Sequence, residues 1–114
     1  MTVLTEGKHA GDFIVSEANG SRSRSAAVLT LGQNLEAGAI VTVAAGEYVE
    51  FAAGDTDVAI LFDNADATTV AQNVVVLDAD CEVNGAELVW DAALLVAEVD
   101  AGIVALAAKG IKIL

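Results

Sequence analysis

The sequence predicts a mainly β protein with short helices, built as one domain behind an N-terminal arm. Two observations carry that prediction. AVLTL (27–31), GAIVTVA (38–44), EYVEFA (47–52), DVAILF (57–62) and NVVVL (73–77) are short β-branched or aromatic runs separated by turn residues. Residues 1–26, in contrast, hold three glycines and four serines and no sustained hydrophobic period. A length of 114 residues suits a single core that needs no disulfide or metal. We therefore divide the chain into an arm, 1–26, and a compact β-rich domain, 27–114, that closes with a helix and a short strand.

Within the arm, Phe13-Ile14-Val15 is the one apolar anchor. The stretch IVTVAAGEYVEF reads as a hairpin turning at Ala45-Gly46, with Val49 and Phe51 on one face of its second strand and Tyr48 and Glu50 on the other. VAILF and NVVVL are apolar on both faces, which requires burial on both sides, inside a closed sheet or against another subunit. Near the end, Asp100 is placed as the N-cap of a helix in which Ile103, Leu106 and Ala107 share a face, Lys109 lies in the last turn and Gly110 takes the position after it. Residues 91–99 are expected to form a second short helix. Ile111 to Leu114 alternates as a terminal strand.

Charge narrows the function. The formal net charge is −12 and the pI about 4.1, which argues against nucleic acid and anionic membranes because both need a basic face. No apolar run reaches the length of a bilayer span, and the first residues lack a basic-then-apolar leader, so a cytoplasmic origin is expected. The five basic side chains, Lys8, Arg22, Arg24, Lys109 and Lys112, all lie near the ends of the chain. Between Ser25 and Ala108 there are fourteen carboxylates and no Lys, Arg or His.

Reactive chemistry is sparse. One cysteine precludes an internal disulfide, and one histidine with one cysteine cannot close a zinc site. Acidic neighbours around Cys81 raise its pKa, so it reads as a packed, inert thiol. Asp78, Asp80 and Glu82 superficially match a calcium loop, but Val83 stands where that loop needs glycine, and a solvated turn is expected. Asp63, Asn64 and Asp66 suit a turn that bonds its own backbone. No phosphate-binding glycine loop is present, no cofactor is implied, and no enzyme is expected. Trp90 belongs to the core or to a subunit interface.

Taken in order, NGSRSR, GQNLEAGAIVTVAAGEYVEF, AILFDNADAT, NVVVLDADCEVNGAELVW and GIVALAAKGIKIL resemble the head decoration protein D family of tailed bacteriophages. The more specific pieces are Ser21–Arg24, Leu35–Gly38, Ile60–Asp63 and Glu82–Trp90. The resemblance implies a small β-clip-like fold, an incomplete barrel with short helices, assembled as a homotrimer. It implies a non-enzymatic cement protein made in the host cytoplasm, placed on the capsid exterior at three-fold sites of the expanded head, whose partner is the major capsid protein. An arm of Phe13, Ile14, Val15, Arg22 and Arg24 would dock on the shell, with Lys109 and Lys112 facing it, and Trp90, Leu88 and Val89 would serve the trimer interface or core. Two other readings follow from the residues: a protein- or cell-surface-binding β module of the virion or elsewhere, and a trimeric nucleotide hydrolase, for which the accompanying motif is missing.

Overall fold

The computed structural model describes residues 11, 13–17, 24–44, 46–52, 57–91 and 94–114, and of Ala44 the backbone only. In chain order the elements are β1 (Ile14–Glu17), β2 (Arg24–Leu29), β3 (Asn34–Leu35), β4 (Ile40–Ala44), β5 (Glu47–Glu50), β6 (Val58–Leu61), β7 (Ala65–Asp66), β8 (Gln72–Leu77), β9 (Cys81–Val83), a single 3-10 turn (Gly85–Glu87), α1 (Val96–Ala108) and β10 (Ile111–Ile113).

Five strands close a small barrel in the order β2-β5-β4-β6-β8. The barrel closes fully, so that each strand finds a partner on both sides along part of its length. β4 and β5 form the expected hairpin, with Ala44 opposite Glu47 across a two-residue loop. Gly46 sits in that loop at φ 84°, a left-handed conformation that glycine adopts without steric cost. A second sheet places β9 between β1, antiparallel, and β10, parallel.

Period-2 alternation explains the core. Val41, Ala59, Leu61 and Val76 form one buried cluster with Ala39. Their alternates Ile40, Val58, Ile60 and Leu77 join a second cluster with Phe13, Phe51, Val83, Leu106 and Ile111, which come from the second sheet, α1 and the link after β5. β6 is therefore buried on both faces, as its VAIL sequence requires. NVVVL departs from that expectation. Val76 and Leu77 are buried, but Asn73 and Val75 are exposed, because the covering layer of sheet and helix ends before the first half of β8.

The ends of the chain also differ from expectation. Phe13, assigned to the arm, is 1% exposed within the main core, and Ile14 packs against the same cluster. β1 lies in the second sheet and β2 opens the barrel at Arg24, so packed structure begins well before Ala27. Helix α1 starts at Val96, not Asp100. Glu98 accepts a hydrogen bond from the Leu95 N–H at 2.9 Å, satisfying a helix-start donor, so Asp100 falls inside the helix. No separate helix spans 91–99 among the described residues; the Leu94 N–H donates to Asp91 O at 3.0 Å in a turn. The inward face of α1 is Gly102 and Leu106, whereas Ile103 and Ala107 face outward. Trp90 selects that face: a Cβ at position 102 would lie 2.7 Å from its ring. The expected close of the helix at Lys109 and Gly110, and the strand after it, are present.

Candidate partner-binding surface

Residues assigned to docking lie towards the two ends of the chain, and the fold brings Ile14, Val15 and Lys112 into one sheet, while Arg24 lies in the barrel and Lys109 at the end of α1. β1 and β10 flank β9, the Asn84 N–H donates to Phe13 O at 2.7 Å, and the Gly85 N–H donates to Leu114 O at 3.1 Å. Of Phe13-Ile14-Val15, Phe13 is core and only Val15 faces solvent. The register slips between Ile14 and Ser16, so Val15 is the extra residue of a β-bulge and its side chain is turned outward.

Arg24 is engaged within the chain. Its Nε and Nη2 donate to the two Glu17 oxygens at 2.8 and 2.6 Å, and its guanidinium lies 4.2 Å from the Phe62 ring centroid. The bond to Glu17 raises the Arg24 pKa, outweighing slight desolvation. This two-pronged bond clamps the end of β1 to the start of β2. Arg22 and Lys8 lie outside the described residues.

Lys109 is likewise paired, donating from Nζ to Asp57 Oδ1 at 2.7 Å, a bond that raises its pKa. Lys112 is exposed on β10 opposite Glu82, and among the described residues it makes no ion pair. The described chain therefore presents one unpaired cation on this sheet.

The segment Leu88-Val89-Trp90 straps one end of the barrel. Val89 donates to Gly38 O at 2.9 Å and accepts from the Ile40 N–H at 3.1 Å. Gly38, at φ 90°, is held so close that a Cβ there would sit 2.6 Å from Glu87 O. Trp90 meets Phe51 edge-on at 5.8 Å between centroids, and Leu88 packs against the same cluster. All three are half-buried. The outer face of α1 leaves Val96 79% and Val104 70% exposed, an apolar helical surface without a partner among the described residues.

The nucleophile-type side chains are engaged within the fold. Burial pushes the Cys81 thiol up to about 11, helped by Glu17, Asp80 and Asp78, which keeps it protonated. Ser25 Oγ donates to Asp78 at 2.7 Å. Asp63 and Asp66 accept from the backbone of their own turn, as their sequence predicts. Among the described residues no three His, Cys, Asp or Glu side chains cluster as a metal site.

The model of the family "Bacteriophage lambda head decoration protein D" matches residues 3–111. The chain belongs to the head decoration protein D family. No curated protein sequence matches it. Head decoration protein D is a structural family of the phage capsid exterior. The blocks that carried the resemblance gain a physical meaning in this fold: Leu35–Gly38 and Glu82–Trp90, far apart in sequence, pack on each other at Gly38, Glu87 and Val89. In this chain they hold the strap 88–90 against the barrel. Two residues that the sequence reading passed over also matter, Glu17 and Phe62. A carboxylate seven positions before an arginine is a weak cue on its own, and nothing in AILFDN marks the ring as a platform.

Proposed function

We propose that this protein is a non-enzymatic cement protein that binds as trimers at three-fold sites of the expanded phage head and stabilises the shell against internal DNA pressure. The family match over residues 3–111 carries the reading, since it takes in nearly the whole chain. The segment before Phe13, with Arg22 and the exposed Val15 and Lys112, engages the major capsid protein, and strand addition supplies main-chain bonds. Contacts between copies use the apolar outer face of α1 beside Trp90, with Leu88 and Val89 behind it. Binding confined to the assembled shell shifts its equilibrium away from disassembly.

The test is to mix the protein with expanded capsids that lack it, pellet them, and count bound copies. Three copies per three-fold site, with added resistance to heat or chelator, is the expected result. Absence of binding to correctly expanded shells refutes the reading.

A further inference from the structure

β6 and β8 part company at one point in the barrel wall. Their ladder runs Ile60↔Leu77 and Leu61↔Val76, then ends with the Phe62 N–H donating to Val75 O at 3.0 Å. Past Phe62 the chain swings away: Asn64 Oδ1 accepts from the Ala37 N–H at 2.9 Å, and Ala65 pairs with Leu35. β8 extends to Gln72 with ladder bonds to β2 on one side only; on the other, β7 packs nearby without pairing and forms the opposite wall of the gap. The alternation of an antiparallel ladder turns the N–H and C=O of Asn73 away from β2, towards the gap. The gap is a groove of about 630 Å³, with Phe62, Val74 and Val75 among its apolar lining and Asp63, Asp66 and Asn73 among its polar lining.

Three features of this groove agree on one class of occupant. An open strand edge selects an extended backbone. The apolar lining selects side chains such as valine or isoleucine at alternate positions. Charge selects a cation. Asp63 and Asp66 are exposed, each has only one oxygen bonded within its turn, and the Thr68 hydroxyl and N–H hold the Asp66 carboxyl below its usual pKa. Arg24, the nearest described cation, is committed to Glu17.

We infer that this groove receives an extended segment of the shell protein, carrying a lysine or arginine between apolar residues, as a strand added to the edge of β8. The inference rests on the proposed capsid role and adds a contact on the body, separate from the arm.

The first test uses the isotope-labelled full chain and two blocked seven-residue peptides of alternating valine and threonine, one with a central lysine and one with a central glutamate. Amide shifts at Asn73 and Val75 are expected with the lysine peptide, with about tenfold weaker binding of the glutamate peptide, equivalent to about 1.4 kcal/mol. The Asp63→Asn, Asp66→Asn double variant should remove that preference. Absence of shifts at Asn73 and Val75, or equal binding of both peptides to the unmodified protein, overturns the inference. On expanded capsids, an Asp63→Lys, Asp66→Lys variant that melts like the unmodified protein should lose occupancy at subsaturating concentration; the Asn pair replaces it if the lysines impair folding. Equal occupancy overturns the groove's role and leaves the capsid role standing. Failure of the unmodified protein to bind capsids refutes the capsid role and, with it, the shell occupant.

Discussion

Glu50 shows how a single side chain limits this protein. Burial raises its carboxyl pKa, and repulsion from Asp91 adds to the rise. A carboxyl raised in the folded state supports stability while it is protonated, and that support is lost as pH climbs through the unfolded and then the folded value. Glu50→Gln should therefore raise the melting temperature at pH 7, with a gain that shrinks as pH falls below the carboxylate range. An equal gain at pH 3 and pH 7, read by thermal melts, would show that charge is not the cause. Arg24 is the opposite case, a charge fully answered by Glu17 and Phe62. The sequence shows both residue types plainly but not their partners. Glu50 meets Asp91 from another part of the chain, and Arg24 needs a ring 38 positions away, so neither environment is written in local spacing.

At the level of elements, legibility followed length and period. β4, β5, β6 and their hairpin were readable because β-branched runs meet turn residues there. β1 was not: it is four residues long, its pattern is broken by a bulge, and its partner Glu82 is 66 positions from Ser16. The start of α1 was misplaced because Asp100 is a good cap by type, whereas Glu98 reaching back to the Leu95 N–H wins by geometry. Burial of Phe13 leads to a concrete expectation. Between a chain beginning at Gly11 and one beginning at Ala18, stability should fall by about 3–5 kcal/mol or more, the usual cost of removing a buried aromatic side chain, with the loss of β1 added to it. Denaturant titration of the two chains measures the difference; equal midpoints would make 13–17 part of an arm after all.

For the whole molecule, seventeen carboxylates against five basic side chains set the balance of long-range forces. Two of the three described cations already hold one carboxylate each, so most of the acidic charge repels at a distance. Salt screens such repulsion over about 10 Å at 0.1 M. The urea midpoint should therefore rise as sodium chloride is raised from about 0.02 to about 0.5 M, with the slope of the transition unchanged. A falling midpoint would mean that the two ion pairs outweigh the repulsion. The candidate site was only partly legible at this scale. Charge segregation pointed to the chain ends, but of the described cations only Lys112 lies in the sheet that β1 and β10 share, and the groove beside β8 depends on where two strands diverge, which no composition reveals.

That joined sheet has a temporal consequence. β9 is complete only when β1 (Ile14–Glu17) and β10 (Ile111–Ile113) lie on either side of it. Ile111 and Phe13 occupy the same core. Until residues 111–113 dock, one side of that core stays open, so the barrel alone does not complete the fold. Its contacts span nearly the full chain, which makes folding slow for its size and concerted once the last strand is free. Docking of β10 beside β9, and not closure of the barrel, is the moment at which this molecule acquires its shape.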